Sequence, residues 1–310
     1  MRKGLTIGII LLFIGASVVS SCHINSSNNA QPLTRGWLYV GGSGPENFTT
    51  IQNAIDNSSD SDIIFVYSGV YQENLLIEKS LTINGEEKNL TVIDGCKHNY
   101  VIKIYANDTR ISNFTIQNSS NNGIEIEGSR NIVENNILQN NGYLGLSIRN
   151  STHSIVTNNI FQHNERGLCL CLYCYNTIIF HNKIENNTYC GLYLYSSCNN
   201  NVFNNNFKKN TCGIILSKSN NNTIDNNTMY LCKRCSINLY QSLNNTINYN
   251  NLCNSTICAF FNCCNSNWDR NYWNKPRILP KPIFGIKKMK IIILAIEFDW
   301  HPAKQPYDIT

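Results

Sequence analysis

The run Cys169-Leu-Cys171-Leu-Tyr-Cys174, followed by Cys198, is a dense set of reactive side chains. Thiolates are soft ligands, so these four sulfurs, brought together, would hold Cu(I) or Zn(II). Paired, they would be disulfides, and the spacing leaves both readings open because it matches no standard zinc pattern. A further pair, "CKRC" from Cys232 to Cys235, has CxxC spacing but no surrounding βαβ pattern. A second chemistry is sugar recognition, for which Tyr193, Tyr195, Tyr240 and Phe260 offer flat aromatic faces. Acid–base catalysis on a polysaccharide needs two carboxylates close together. Asp108, Asp225 and Asp269 lie far apart in sequence, and Glu125 and Glu127 are flanked by Lys103 and Arg149 as salt partners. A lyase or hydrolase acting through Glu125 or Glu127 therefore ranks behind binding, and no catalytic residue is assigned.

Such residues act together only if the fold stacks them. Short segments that begin on a small residue recur: "GIEI" at Gly123, "GLSI" at Gly145, "GLCL" at Gly167, "GLYL" at Gly191, "GIIL" at Gly213, "SINL" at Ser236 and "CAFF" at Cys258, in steps of 22 to 24 residues. A second column pairs an apolar residue with an asparagine three positions later, from Val133/Asn136 to Trp268/Asn271. A unit this short cannot bury its apolar face alone, whereas stacked units can, which is the logic of a solenoid. Units built only of short strands and turns point to a parallel β-helix of about ten coils of ~22 residues rather than a leucine-rich repeat. The abundance of Asn then reads as architecture and not as a disordered tract. Asn136, Asn159, Asn182, Asn206, Asn227, Asn250 and Asn271 form a ladder of side-chain amides at one corner, with Phe203 and Phe207 in the core. Strand alternation sends Lys103, Glu125, Ser147, Cys169, Tyr193, Ile215, Asn238 and Phe260 outward in one column. Tyr105, Glu127, Arg149, Cys171, Tyr195, Ser217, Tyr240 and Asn262 form the other, which predicts Lys103–Glu125 and Glu127–Arg149 charge pairs. Cys198 is expected to stack on Cys174, and Cys190, Cys212 and Cys235 to stack on one another facing inward.

Met1-Arg-Lys and the apolar run Leu5 to Val19 read as a signal peptide over residues 1–21, so the chain is expected outside the cytoplasm. "VSSC" resembles a lipoprotein processing box in which Cys22 carries the lipid, the expected means of membrane attachment. Residues 22–45 are a linker, and the helical spacing of Ile51, Ala54 and Ile55 predicts a short capping helix. Fourteen cysteines in an exported chain point first to disulfides. A net charge of +5 without a basic cluster argues against nucleic acid as a partner. Many Asn-x-Ser/Thr sequons occur, with Asn107 and Asn118 the most accessible candidates for glycosylation.

"IQNAID", then "DIIFVYSGVYQENLLIEKSLTINGE", then the Asn-rich repeats and "NYW" at Asn271 to Trp273, resemble the NosD-like, periplasmic copper-binding β-helix family. The N-terminal pattern is shared with pectin-acting β-helix enzymes, and "FDWHPAKQPYDI" resembles a tail of archaeal surface proteins. The resemblance implies an all-β, single-stranded right-handed parallel β-helix over residues 46–273 and a C-terminal capping segment over 274–310. It also implies copper handling, although no copper-ligand motif stands in the repeats. The leading expectation is a non-catalytic surface module that contacts a polysaccharide or glycoprotein, with copper handling as the alternative.

Overall fold

The computed structural model describes residues 36–253, 259–261, 265–288 and 292–309. The expected signal peptide, Cys22 and the first part of the linker lie outside the described residues.

Each coil contributes three short strands, as in Leu144–Arg149, Ile155–Thr157 and Ile160–Gln162. Strands pair with their equivalents one coil on, always in parallel, so Leu146 pairs with Leu168, Leu168 with Leu192 and Leu192 with Ile214. About ten turns result. The first and second strands of the coils merge in a 22-stranded sheet, and the third strands form a 9-stranded one. Side chains alternate, so each strand sends one or two apolar groups inward. Leu146, Leu168 and Leu192 from the first strands, Val156, Ile179 and Val202 from the second, and Phe161, Ile184 and Phe207 from the third are all fully buried. The chain is an all-β parallel solenoid.

The corners divide their work between two neighbouring residues. Asn135, Asn158, His181, Asn204 and Asn226 adopt positive φ, a conformation in which Asn is enriched among non-glycine residues. The next residue turns its side chain inward and forms the ladder. Asn136, Asn159, Asn182, Asn205, Asn227, Asn250 and Asn271 are the rungs, and from Asn159 onward each accepts the backbone N–H of the rung before at 2.9–3.0 Å. Asn206 is not a rung: it is exposed and pairs with Lys183 in a third strand. Phe203 is likewise not in the core. Val202 takes the inward place, and Phe203 stacks outside on Phe180 with ring centroids 5.3 Å apart.

Two further amide ladders stand at the other corners, Asn141–Asn164–Asn187–Asn210 and Asn200–Asn222–Asn245. A hydroxyl ladder, Ser197–Ser219–Ser242, begins at the Cys174 backbone N–H. Buried backbone groups at a corner have no strand partner, and the ladders supply one.

The helix Ile51–Asn57 closes the first coils and buries Ile51, Ala54 and Ile55, the residues whose spacing predicts it. Glu73 accepts from Ile51 N at 2.8 Å and Gln52 N at 2.9 Å, satisfying two N-terminal donors. Lys79 Nζ binds the carbonyls of Ile55, Asp56 and Ser58 at the other end. With seven residues this helix is too short to persist by itself, so these tethers hold it in place. Glu73→Ala is expected to cost about 1–2 kcal/mol in urea unfolding, the usual loss on removing a helix cap. At the other end Lys281–Lys288 and Ile292–Asp299 form an antiparallel hairpin whose strands join the last coils.

Candidate functional site

The outer face of the first-strand column gathers tyrosines around basic side chains. Arg166 opens the strand Arg166–Cys171, where Gly167 follows it. A Cβ at Gly167 would lie 2.7 Å from the Gly191 carbonyl oxygen, so a side chain there would collide with the next coil. The alternation of faces breaks at this glycine position: one coil on, Leu192 is inside while Cys190 packs outside with Tyr193 and Ile215. Arg166 shares the register of Cys190, and it too turns to the outer face, among tyrosine rings.

The Arg166 guanidinium carbon lies 4.8 Å from the Tyr143 ring centroid, 5.0 Å from Tyr189 and 4.9 Å from Tyr193. Glu165 is its carboxylate neighbour at 3.7 Å. Tyr193 stacks on Tyr195, centroids 6.1 Å apart and planes 23° from parallel. Burial raises the Tyr189 phenol above its ordinary value, with the Cys190 thiol adding to the effect, so the ring stays neutral at physiological pH. A cation on the faces of several rings gains quadrupole attraction and holds those rings in one orientation. Further toward the N-terminus, Lys103 lies 4.8 Å from the Tyr105 ring and 3.4 Å from Glu125. Glu125 is buried and also accepts from Asn122 at 3.0 Å. Its carboxylate is therefore committed to structure. The expected Glu127–Arg149 pair is absent among the ion pairs of the described residues.

Of the aromatic residues singled out by sequence, Tyr193 and Tyr195 come together. Tyr240 stands two coils on, separated from Tyr195 by Ser217. Phe260 pairs with Leu239 and Ala259 with Asn238, so Phe260 stands one residue out of the expected column. Tyr143, Tyr189 and Arg166 were missed. They lie just before each strand's repeat glycine or in the preceding turn, where simple alternation does not assign a face.

The four candidate metal-binding cysteines are not gathered. Cys169 and Cys171 set their sulfurs side by side on one strand, in register with Tyr193 and Tyr195 on the next coil. Cys174 is buried, donates to the Ile148 carbonyl at 3.2 Å and has its thiol pushed up by burial. Cys198 does not stack on it: Cys198 pairs with Tyr175 and accepts from Asn220 N at 3.2 Å. The corner position facing Cys174 belongs to Ser197. Among the described residues no group of three or more His, Cys, Asp or Glu is placed to hold a metal ion. These residues do not fit the copper that the sequence resemblance implies.

Fold and face together define a right-handed parallel β-helix protein with a cation–tyrosine surface on one sheet. Residues 101–216 match the family model described as "Right handed beta helix region". Probable pectinesterase 56 of Arabidopsis thaliana is 31% identical over 91 residues, which are 27% of this chain and 32% of that protein. The match thus spans about a third of that relative. Among solved structures, alginate lyase from Paenibacillus sp. str. FPU-7 superposes with a TM-score of 0.60 at 12% identity, over 72% of this chain and 92% of the lyase. The GH136 lacto-N-biosidase from Eubacterium ramulus gives 0.59 at 11% identity, over 77% of this chain and 60% of that one. At such identities the likeness is one of fold.

Proposed function

We propose that this chain is an extracytoplasmic binding module for polysaccharide, and that the glycan lies along the Tyr143–Arg166–Tyr189–Tyr193–Tyr195 face. The observation that carries this reading is the fixed geometry of Arg166 within three tyrosine rings beside the Tyr193–Tyr195 stack. Ordered rings lose little entropy on meeting the C–H faces of a sugar, and phenol hydroxyls remain for its polar edge. The guanidinium adds donors suited to hydroxyl or carboxylate oxygens. Several solved β-helices of the same fold are named for action on carbohydrate, which is consistent with a surface of this shape. Export rests on the N-terminal sequence pattern.

The test is affinity electrophoresis followed by calorimetry against acidic and neutral polysaccharides. Tyr193→Ala is expected to weaken binding roughly tenfold, since loss of one stacked ring removes about 1–2 kcal/mol. Tyr240→Ala, two coils away, should bind nearly as the parent does. Equal affinity of parent and Tyr193→Ala would reject this face. Release of shortened sugar during the titration would replace binding with turnover.

A further inference from the structure

The strand Trp37–Val40 buries Val40 and turns Trp37 and Tyr39 outward, 57% and 39% exposed. It pairs in register with Ile63–Val66, so that Tyr39 stands opposite Phe65. The Trp37 and Tyr39 rings lie 6.2 Å apart with planes 21° from parallel, and Tyr39 and Tyr67 lie 6.4 Å apart at 28°. Phe65 meets Tyr67 edge to face at 5.1 Å and braces it. Trp37, Tyr39 and Tyr67 thus form a ledge of nearly parallel aromatic planes. A loop closes one side of it. Gly41 and Gly42 adopt positive φ, and a Cβ at Gly42 would lie 2.8 Å from the Tyr67 ring, so only glycine lets the backbone pass this close. Asn47 ties the loop back: its amide donates to Gly41 O at 2.6 Å, and Phe48 N donates to Tyr39 O at 2.8 Å. Between loop and rings run two adjoining clefts of about 560 and 570 Å³, within the range of small-molecule sites. They share Tyr39, Gly44 and Asn47.

We propose that this cleft is a second glycan subsite, which takes a neutral pyranose ring against Trp37 and Tyr39. The aromatic ledge meets the C–H face of the sugar, and its hydroxyls find acceptors in the wall. Glu46 is the one charged side chain among the described residues that line the clefts, and it joins none of their ion pairs. Its carboxylate is therefore available to accept from a sugar hydroxyl, a charge-assisted bond. Asp62, which accepts from Gly36 N at 2.8 Å, adds a second carboxylate at the Trp37 end. A rim of this sign, with no lysine or arginine among the described lining residues, repels a uronate or a phospholipid phosphate. The Arg166 face has the opposite character. The proposal extends the glycan reading to a separate place, since the two sites share no residue.

The experiment is calorimetric titration of the full-length protein with cellohexaose, xylohexaose, mannohexaose and hexagalacturonate. At least one neutral hexaose is expected to bind, and Trp37→Ala to weaken it roughly tenfold by removing one ring of the ledge. Trp37→Phe, which keeps a ring, should recover most of the affinity. Trp37 is more than half exposed, so neither change disturbs the core. Tyr193→Ala should leave this binding in place, so failure of the cleft and failure of the Tyr193 face are read separately. Equal affinity of parent and Trp37→Ala, or no neutral hexaose bound at all, would overturn the proposal. So would a preference for hexagalacturonate that Trp37→Ala abolishes. Trp37-dependent binding to vesicles of phosphatidylcholine and phosphatidylglycerol, in place of sugar, would assign the ledge to a membrane surface and overturn it as well.

Discussion

Asn182→Ala is expected to destabilise the solenoid by about 3–5 kcal/mol, far more than its small loss of volume. The wild-type amide donates to Val156 O at 2.9 Å, Phe180 O at 3.0 Å and Asn205 Oδ1 at 3.0 Å. Its oxygen accepts from Asn159 N at 2.9 Å and from the Asn159 amide at 3.1 Å. Truncation strands several of these groups where water does not reach, and each buried orphan costs about 1–3 kcal/mol. Partial entry of water limits the total. Asn206→Ala, one corner along, removes an exposed side chain outside the ladder, and surface changes of that kind stay within about 0.5 kcal/mol. Urea unfolding followed by far-UV circular dichroism reads both variants against the parent. If Asn182→Ala matched Asn206→Ala, the buried amides would contribute no net stability and the role assigned to the ladder would be wrong. A broadened transition in Asn182→Ala alone would fit a solenoid in which each coil is held by its neighbours.

The difference between those two asparagines also shows where the sequence was legible. Repeat spacing was enough for the fold, because a regular step places Ile124, Leu146 and Leu168 in one stack whatever their identity. It was enough for most rungs as well, since an apolar residue three places before each asparagine fixes the corner. It failed at Asn204-Asn205-Asn206, where three identical side chains follow two apolar ones and the pattern fits in two registers. The deciding contact is Phe207, which must enter the core between Ile184 and Met229, and that puts Asn205 at the corner. The other ladders were hidden because Ser, Thr and Cys interrupt them: Cys174 stands where later coils have Ser197, Ser219 and Ser242. Read by spacing alone, Cys174 looked like a ligand. Its neighbours make it a corner residue. The candidate binding face was legible in part, because strand alternation reveals Tyr193 and Tyr195 but says nothing of a residue set before a glycine. Arg166 and Cys190 take their direction from that glycine step.

Asp299→Ala is expected to cost about 4 kcal/mol and to make the protein self-associate, whereas Asp299→Asn should cost less, about 1–3 kcal/mol. Every ladder must end, and its last rung, Asn271, lacks a further asparagine to bind. Asp299, fully buried on the C-terminal hairpin, takes that place. One carboxylate oxygen accepts from Asn271 N at 2.9 Å, the Asn271 amide at 3.1 Å and Trp273 Nε1 at 2.8 Å. Hydrogen bonds to a charged acceptor contribute about 1.5–3 kcal/mol each, more than neutral ones, so losing three outweighs the relief of desolvating a carboxylate. Among the described residues the second oxygen has no hydrogen-bond partner, so Asp299→Asn keeps the three bonds to the first oxygen and leaves only the new amide N–H groups without an acceptor. Detaching the hairpin also uncovers the edge of Asn267–Asp269, whose pairing with it runs from Trp268 to Asp299. An open parallel edge is a template for another chain. Urea unfolding gives the energies, and size-exclusion chromatography with light scattering gives the mass of each variant. A monomeric Asp299→Ala with parent stability would mean that the hairpin caps the solenoid without this carboxylate. Equal damage in Asp299→Asn would instead show that the negative charge, and not the acceptor geometry, closes the ladder.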